Sequence, residues 1–401
     1  MKTETINRIE VSAVSLTDAL AMAVAEKKAT IPILTQVLLR PIGNTVRVVS
    51  TTLDVTAITD IQGVSKNDTP ILIPAHQVLD LLKGESGTAV FSYRDTVETV
   101  KSRKPGEYKD GQWIDGEEFD EEIHSHVMVL DVGSVSYELT DMNIDNFPVS
   151  PEVQPPQFQV TGAEFKGMLS RTSFAISKEE SRYTINGILM KSGSGKFLAV
   201  ATDGHRLAME HVEMAEVPTA QAVVPSAVIQ WLQKHVEKSE VGVHLGKENS
   251  VFSVPEIGTV LIARNVSGTF PNYEAVLPRK DSVNHTVTFP HADELAKVLT
   301  KVSKMSDSRS GAVKWKINGS CELSAASVDS GKATATVKAD INHSDGNDEL
   351  LIGLNSQYVL EFLKIAGKNP VSMSVKDSQS AALFEVSEIP NYSYVLMPMR
   401  I

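Results

Sequence analysis

The feature that most constrains the fold of this chain is a short phrase that recurs along it. An apolar residue, Pro, Asn and Tyr open the stretch "FPNYEAVLP" from Phe270 to Pro278 and the stretch "IPNYSYVLMP" from Ile389 to Pro398. A shorter version, "DNFPVS", contains Phe147 and Pro148, and successive copies lie about 120 residues apart. Because such a period matches a whole structural unit, the 401-residue chain is predicted to repeat one domain three times.

Each unit is predicted to contain two helices. The first helices are "VSLTDALAMAVAEKK", "VTGAEFKGMLSRTSFAIS" and "FPHADELAKVLTKVSKM". In the third of them, Leu295, Val298, Leu299 and Val302 fall at i, i+3, i+4 and i+7. The second helices share an apolar core within "PAHQVLDLLKG", "PSAVIQWLQKH" and "NSQYVLEFLKI". Acidic residues are expected in the first turns of the first helices, where they suit the helix dipole: Asp18, Glu164, Asp293 and Glu294. The residues expected at the starts of the second helices are Pro74, Pro225 and Asn355.

The segments between the helices alternate β-branched and polar residues. The stretches "TVRVVSTTLDVTAITD", "KFLAVATDGHRLAMEHV" and "SCELSAASVDSGKATATV" are therefore predicted to form strand pairs. The resulting fold class is α+β. Polar linkers divide the chain into domain 1 (1–155), domain 2 (156–281) and domain 3 (282–401).

Domain 1 is longer than the other two domains. Val78 and Pro148 are 70 positions apart, whereas the equivalent Val228 and Pro271 are 43 positions apart. The excess fits a stretch at about 100–126 that is rich in glycine and acidic residues. We predict that this acidic insertion is an exposed loop or a hairpin extension.

The composition limits the cellular compartment and the binding partners expected for the chain. Cys321 is the only cysteine, so no intramolecular disulfide can form, and a reducing compartment is favoured. The N-terminal residues lack an apolar core of signal-peptide length, and no run approaches 18 apolar residues. A cytoplasmic protein is therefore predicted. The net charge of −12 argues against nucleic-acid binding unless the cations are clustered on one surface.

Three segments have residue types that occur in catalytic or ligand-binding sites, and each is better explained as structure. "TDGHR" contains Asp203 and His205, but only its turn acid recurs, near Asp54 and Asp329, which indicates a structural turn. "SGSGKF" lacks the spacing of a phosphate-binding loop and is predicted to be a hairpin turn. "HSH" at His124 and His126 has no second ligand pair at zinc spacing. We therefore predict a protein that is not an enzyme and has no metal or cofactor.

Four motifs carry a resemblance that spans all three units. They are "RYTING" (Arg182–Gly187), "VATDGHRLA" (Val200–Ala208), "FPNYEAVLP" and the terminal "YVLMPMRI" (Tyr394–Ile401). With these motifs the chain resembles the β sliding clamps of bacterial DNA polymerase III. The resemblance implies a DNA-clamp fold with two helices and two antiparallel sheets in each domain. It also implies a head-to-tail homodimeric ring, with helices lining a hole that duplex DNA threads.

The function implied by the resemblance is that of a processivity factor. It would tether the replicative polymerase and repair proteins to the template, and a clamp loader would open the ring. Each closing phrase would be the last strand of its domain. Helix geometry agrees with the ring: six helices at ~10 Å each enclose a hole of only about 19 Å, whereas twelve enclose roughly 38 Å between helix axes. A duplex is on the order of 20 Å wide, so two chains are needed to surround it.

The resemblance also assigns two sets of site residues. One set is a groove for partner peptides bearing Gln and then Leu or Phe anchors. Its residues are Ile185, Thr202, Gly204, His205, Arg206, Leu207, Pro271, Val276, Val395, Leu396, Met397, Pro398, Met399 and Arg400. The other set places Tyr137, Leu139 and Met305 near the dimer interface.

Cations on the predicted helices indicate how an acidic chain could hold DNA. Lys297, Lys301 and Lys304 share one helix face, whereas the acidic residues concentrate in loops. The residues predicted to contact DNA without sequence preference are Lys28, Lys178, Arg182, Tyr183, Lys234, Lys238, Lys297 and Lys301, of which Arg182 and Tyr183 follow from the resemblance.

The alternative interpretation is a three-domain scaffold that binds peptides without encircling DNA.

Three departures from the family pattern accompany the resemblance. Ala275 stands where arginine is usual, Ile401 replaces leucine, and the acidic insertion is atypical. They fit a divergent chromosomal clamp as well as a phage or plasmid copy, and the sequence does not decide between them.

Overall fold

The computed structural model describes residues 5–104, 107–109, 112–114, 118–279, 282–307, 309–344 and 349–400. Six α-helices occur in these residues, in the order predicted: α1 (Ala13–Met22), α2 (Ala75–Leu81), α3 (Gly162–Thr172), α4 (Ser226–His235), α5 (Ala292–Val302) and α6 (Ser356–Ala366). The two helices of each domain pack against each other, α1 on α2, α3 on α4 and α5 on α6.

The strands of domains 1 and 2 account for the first eighteen of the described strands. They are β1 (Thr5–Ser12), β2 (Gln36–Ile42), β3 (Thr45–Thr51), β4 (Val55–Ser65), β5 (Ile71–Pro74), β6 (Thr88–Arg103), β7 (Glu107–Lys109), β8 (Gln112–Ile114), β9 (Glu118–Val132), β10 (Val135–Leu139), β11 (Phe158–Thr161), β12 (Gly187–Gly193), β13 (Lys196–Thr202), β14 (Arg206–Glu213), β15 (Ala220–Pro225), β16 (Glu240–Leu245), β17 (Asn249–Val254) and β18 (Thr259–Arg264).

The remaining strands belong to domain 3. They are β19 (His285–Phe289), β20 (Ala312–Ile317), β21 (Cys321–Ser327), β22 (Gly331–Val337), β23 (Asp340–His343), β24 (Leu350–Asn355), β25 (Val371–Val375), β26 (Ala382–Val386) and β27 (Ile389–Leu396). The three predicted strand pairs form as antiparallel hairpins, β3 with β4, β13 with β14 and β21 with β22.

Residue contacts divide the chain into two compact units. Unit 1 comprises 1–154 and 252–262, and unit 2 comprises 155–251 and 263–401. In unit 1, hydrogen-bonded neighbours follow the order β10-β9-β6-β1-β4. A second group, β5-β2-β3, is connected to this sheet by the pairing of β3 with β4. Its core is formed by apolar side chains from α1, α2 and these strands, among them Leu16, Val37, Val78, Phe91 and Leu130.

The described residues that flank the middle of the acidic insertion form a hairpin arm. Strands β6 and β9 pair from Ala89↔Val132 out to Arg103↔Glu118. The pairing of β1 with β6 reaches only to Arg94, so the distal part of the arm is a two-stranded ribbon. Within it, the Arg103 guanidinium lies 2.7 Å from the Glu118 carboxylate. The described residues up to Arg103 and from Glu118 thus have the geometry of the predicted hairpin extension.

Unit 2 is held together by one long antiparallel sheet. Its order is β15-β12-β13-β14-β27-β26-β25-β19-β23, so domain 2 strands and domain 3 strands form one sheet. The joint is the ladder of β14 with β27, which pairs Arg206 with Leu396 and Leu207 with Val395. A separate four-stranded sheet, β22-β21-β20-β24, completes domain 3.

The helix starts show why these segments are helical. The hydroxyl of Thr161 accepts a hydrogen bond from the Glu164 backbone N–H at the start of α3, and the Asn355 side chain accepts from Gln357 and Tyr358 at the start of α6. Glu164, Asp293 and Glu294 do lie in first turns. The prediction for Asp18 is wrong: α1 begins at Ala13 after the N-cap Ser12, so Asp18 lies beyond its first turn.

The closing phrases do not all form strands. The third copy is strand β27, but Tyr273–Val276 in the second copy and Ile144–Asn146 before the first are short 3-10 helices. The expectation that each copy ends its domain as a strand is therefore wrong for domains 1 and 2. The third copy has β14 and β26 on its two sides to accept and donate ladder hydrogen bonds. No described helix is long and apolar enough to span a membrane.

Candidate functional site

Unit 2 contains an apolar cavity of about 230 Å³ beside the β14–β27 ladder. Leu207 and Val395 face it from neighbouring strands, and the segment around Pro271 forms another wall. Its lining residues are Ile185, Thr202, Gly204, His205, Arg206, Leu207, Pro271, Asn272, Tyr273, Val276, Val395 and Met397. A cavity of this character fits one or two apolar side chains of a ligand.

The turn between β13 and β14 shapes one rim of the cavity. The Asp203 carboxylate accepts from the backbone N–H groups of His205 and Arg206 at 3.0 and 3.1 Å. The Thr202 hydroxyl donates to the Arg206 carbonyl at 2.6 Å and accepts from Gly204 N–H. Gly204 has φ +89°, and a Cβ there would lie 2.9 Å from a guanidinium nitrogen of Arg182. Asp203 therefore organises this turn, as the sequence predicted.

Arg206 is the most heavily engaged side chain of the site. Only 7% of it is exposed, and its Nε donates to the Asp203 carboxylate at 3.0 Å. Nη1 donates to the Glu361 carboxylate on α6, and Nη2 donates to the Phe174 carbonyl at 2.8 Å. The rings of Phe174 and Tyr358 lie 5.2 and 4.2 Å from the guanidinium carbon. Burial lowers the pKa of Arg206, but Tyr394 and Glu361 raise it overall, so the charge is retained.

The C-terminal tail joins the site through its backbone. Met397 N–H donates to the His205 carbonyl at 2.9 Å, and Met399 N–H donates to the Gly353 carbonyl at 2.8 Å. Met397 is 38% exposed and lines the cavity. Leu396 is fully buried, because alternate residues of a strand face opposite sides and its neighbour Val395 faces the cavity.

The cavity brings together most of the residues predicted for the groove. Four of the predicted residues do not line it: Leu396, Pro398, Met399 and Arg400. Arg400 is exposed, and Pro398 and Met399 are half-buried. Two lining residues, Asn272 and Tyr273, were missed, although they belong to the same repeated phrase as Pro271.

A second cavity of about 340 Å³ shares the wall formed by Pro271, Asn272 and Tyr273. Burial raises the pKa of Tyr273 to about 12, and Glu274 adds to the shift. The Tyr273 hydroxyl, 3.2 Å from the Glu274 carboxylate, is therefore a neutral donor near pH 7.

The segments examined for chemistry have structural roles where they are described. Gly193, Ser194 and Gly195 of "SGSGKF" form the turn between β12 and β13 at positive φ. The described residues contain no group of three or more His, Cys, Asp or Glu arranged to hold a metal. The side chains of His124 and His126 lie outside the described residues.

The side chains predicted to contact DNA are exposed. Lys301 lies in the last turn of α5, and Lys234 lies in the last turn of α4. Two of the set already have acidic partners: Lys297 Nζ lies 2.9 Å from Asp293, and Arg182 Nε lies 3.0 Å from Glu179. The remaining members are Lys28, Lys178, Tyr183 and Lys238. The helical placement of Lys28 and Lys238 is wrong, because α1 ends at Met22 and α4 ends at His235.

Comparison with known protein families covers nearly the whole chain. Residues 6–103 match the N-terminal domain of the DNA polymerase III beta subunit, 159–272 match its central domain, and 274–400 match its C-terminal domain. The chain belongs to the DNA polymerase III beta subunit family.

Individual relatives agree with this family over most of the chain's length. A beta sliding clamp of Pseudomonas aeruginosa is 25% identical over 95% of this chain and 96% of its own length. A beta sliding clamp of Caulobacter vibrioides is 27% identical over 94% of this chain and 95% of its own.

Solved structures show the same fold. The crystal structure of the Pseudomonas aeruginosa DNA polymerase III subunit beta has a TM-score of 0.81 at 24% identity, and it covers 98% of this chain and 100% of its own. The C. crescentus beta sliding clamp has a TM-score of 0.81 at 25% identity with the same coverage. These matches show a sliding-clamp fold with three domains that combine helices with antiparallel sheets.

The residues predicted for a dimer interface differ in exposure. Leu139 is 4% exposed and belongs to the core of unit 1, and Tyr137 is half-buried against the same core. Met305, after α5, is also half-buried. Leu139 thus leaves little surface for a partner, whereas Tyr137 and Met305 each leave part of a side chain free.

Proposed function

We propose that this chain is a DNA sliding clamp that tethers a polymerase to its template by gripping a short polymerase segment in the unit 2 cavity. Members of its family are non-catalytic processivity subunits. This agrees with the structure, in which Asp203 and Ser194 form turns. The observation that carries the proposal is the cavity itself. It combines Leu207, Val276, Val395 and Met397 beside a rigid turn, in a chain whose three domains all match the clamp family.

The cavity suits a partner segment with Leu or Phe anchors preceded by Gln. Two anchors that become fully buried would each contribute ~1.5–3 kcal/mol. Together the two anchors contribute ~3–6 kcal/mol. With a few hydrogen bonds of ~1 kcal/mol each, the total approaches the ~8 kcal/mol of a micromolar dissociation constant. Binding of this strength lets one partner replace another. Met397 supports such exchange, because a flexible thioether adapts to differently shaped anchors.

DNA would be held by exposed cations in the last turns of the helices and just beyond them. Lys234, Lys238 and Lys301 offer charges without a base-reading geometry, so contacts to phosphate would carry no sequence preference. The acidic arm of domain 1 would repel DNA from the surface on which it lies. A net charge of −12 is compatible with DNA binding only if these cations act as a group.

The ring is proposed to be a head-to-tail homodimer, since twelve helices enclose enough space for a duplex and six do not. Tyr137 and Met305 have partly exposed apolar surface for that interface. A closed ring would need a clamp loader to open it, and the single buried cysteine Cys321 agrees with a cytoplasmic setting.

Sedimentation equilibrium and peptide titration test this proposal together. We expect the mass of two chains at micromolar concentration, and saturable binding of a fluorescent Gln-Leu-Phe peptide. Val276→Glu should abolish peptide binding without changing the mass, because it places a charge in the apolar cavity. A matched Val328→Glu variant, at a fully exposed valine outside the cavity, should bind like the wild type. A monomer at micromolar concentration would reject the ring. Equal peptide affinity for the wild type and Val276→Glu would reject the groove.

A further inference from the structure

The inference concerns a cavity of about 510 Å³ in unit 1, which is separate from the groove in unit 2. Its walls come from α1, from β4 and from the 3-10 turn Pro255–Ile257 that precedes β18. Of its apolar lining residues, Ala19 and Ile61 are buried, and Met22 and Ile257 are half-buried. The cavity is more than twice as large as the one in the groove, so it has room for a ligand.

The repeat within the chain gives this cavity a counterpart in domain 2. Met22 is the tenth residue after the N-cap of α1, and Arg171 is the tenth residue after the N-cap of α3. Thr59 and Glu210 are each the fifth residue of the equivalent strands β4 and β14. The next strand in the sheet is β18 for β4 and β27 for β14. The two regions are therefore the same place in two copies of one domain.

In domain 2 this place is occupied by large polar side chains. The Arg171 guanidinium donates to both carboxylate oxygens of Glu210, at 2.6 Å from Nε and 2.5 Å from Nη2. Tyr392, opposite Glu210 in the β14–β27 ladder, is fully buried. The hydrogen bond with Glu210 raises the pKa of Arg171, so the guanidinium keeps its charge. Domain 2 thus holds a guanidinium here that its own chain supplies.

In domain 1 the same place has smaller side chains. Met22 stands where α3 has Arg171, and Thr59 stands where β14 has Glu210. The Thr59 hydroxyl shares a hydrogen bond of 2.9 Å with the Thr259 hydroxyl on β18. Protein interiors are normally packed without large voids, and methionine and threonine fill less space than arginine, glutamate and tyrosine. The cavity is therefore the space that Arg171 and its partners fill in domain 2.

The charged residues of the lining are acidic. Asp18, Asp60 and Glu256 line the cavity with exposed side chains, and none of the described lining residues is a lysine, arginine or histidine. Arg47, outside the lining, offsets the charge of Asp60 through two hydrogen bonds of 2.8 Å. The lining keeps two further carboxylates. Buried apolar residues beneath exposed carboxylates suit a cation with a hydrocarbon stem.

We propose that this cavity binds an alkyl guanidinium group, the same group that domain 2 supplies from its own Arg171. The hydrocarbon stem lies against Ala19 and Ile61. The carboxylates of Asp18 and Glu256 hold the guanidinium through charge-assisted hydrogen bonds. The group belongs to a small free cation or to an arginine side chain of a partner, and both share this recognition chemistry.

The test titrates the full-length protein, with ¹³C-methyl labels in methionine and isoleucine, with agmatine, an aminobutyl guanidinium. At constant ionic strength, the methyl signals of Met22, Ile61 and Ile257 should shift saturably. n-Butylurea has a similar shape without the charge and should not shift them. The peptide acetyl-Gly-Arg-Gly-amide distinguishes the two sources: tighter binding of the peptide indicates a partner side chain, and tighter binding of agmatine indicates a free cation.

Two variants locate the binding. Glu256→Gln should weaken agmatine binding by about two- to fivefold, the effect of one exposed charge. Glu85→Gln is the matched control, because Glu85 is an exposed glutamate of unit 1 that is not among the lining residues. Met22→Arg places the chain's own guanidinium in the cavity and should abolish binding, as read from Ile61 and Ile257, whereas Met22→Leu should bind like the wild type.

Three results would overturn the inference. The first is the absence of a saturable shift in the wild type with either guanidinium compound. The second is an equal response to n-butylurea. The third is wild-type affinity in both Glu256→Gln and Met22→Arg. Because Glu256 is exposed, its replacement leaves the fold intact and keeps the test decisive even if Met22→Arg does not fold.

Discussion

At the scale of single residues, the site depends on a turn that only glycine fits well. Gly204 adopts φ +89°, and its N–H donates to the Thr202 hydroxyl, which in turn donates to the Arg206 backbone carbonyl across the turn. Asp203 fixes the same turn from the other side. The turn therefore places Arg206 and Leu207 in the cavity wall before any partner arrives.

Gly204→Ala is predicted to reduce both stability and peptide binding. The left-handed conformation costs an L-residue about 1–2 kcal/mol, and the new Cβ would also press on the Arg182 guanidinium. Urea denaturation and peptide anisotropy measure the two effects. Gly84→Ala is the control, since Gly84 has φ +83° in open space in unit 1. It should lose similar stability yet bind peptide normally. Wild-type affinity in Gly204→Ala would contradict this account of the turn.

Cys321 is predicted to be unreactive in the folded protein. It is fully buried, and burial raises the pKa of its thiol to about 12, so almost no thiolate exists at pH 8. A thiol reagent such as dithiobisnitrobenzoate should therefore label no cysteine in native protein and one per chain in guanidinium chloride. Rapid labelling under native conditions would show that β21 opens easily.

At the scale of elements, α5 separates an apolar face from a cationic one. Ala292, Leu295, Leu299 and Val302 are buried, whereas Lys297 and Lys301 are exposed. Asp293 bonds Lys297 and raises its pKa. Lys301 lies in the last turn of the helix, where the dipole favours a cation.

Replacing both Lys297 and Lys301 with Glu is predicted to weaken DNA binding and flatten its dependence on salt. Each phosphate contact that is lost should reduce the slope of log affinity against log salt by about one. Because Asp293 partly neutralises Lys297, Lys301→Glu alone should account for most of the loss. Lys247→Glu, in the turn between β16 and β17, is the control. An unchanged slope in the double variant would remove α5 from the DNA-contacting surface.

Deleting Met397–Ile401 is predicted to abolish peptide binding while the protein stays folded. Strand β27 ends at Leu396, so the deletion leaves its ladders with β14 and β26 intact. It removes Met397 from the cavity wall and two backbone bonds, to His205 and Gly353. Circular dichroism and peptide titration check the two outcomes. Native affinity after truncation would place the binding site elsewhere, and unfolding would make the tail part of the core.

At the scale of the whole molecule, local sequence patterns predicted the helices and strands better than they predicted which strands pair with each other. Apolar patterns that recur from domain to domain located all six described helices, and alternation located the hairpins, because both signals lie within one short segment. The strand prediction for the closing phrases was wrong for the copy that contains Tyr273. A segment forms a strand only where neighbouring strands pair with it, as β14 and β26 do around Tyr392. The pairing of β14 with β27 joins residues about 190 positions apart, and no local pattern near Leu207 predicts Val395 as its partner.

The site shows the same limit. Resemblance to a family supplied Leu207, Val276 and Met397, but the alternation of strand β27 removes Leu396 from the cavity. Glu361 could not have been found from the sequence, because only the fold brings α6 against the turn that contains Arg206.

The central claim, that the protein encircles duplex DNA, is tested most directly by topological retention. The protein is threaded onto linear duplex over its open ends, the DNA is ligated into a circle, and the complex is filtered through a sizing column at high salt. We predict that protein elutes with the circle, and that it is released when one restriction cut reopens the DNA. A scaffold that binds without encircling would elute the same way from cut and uncut DNA, and that result would contradict the account.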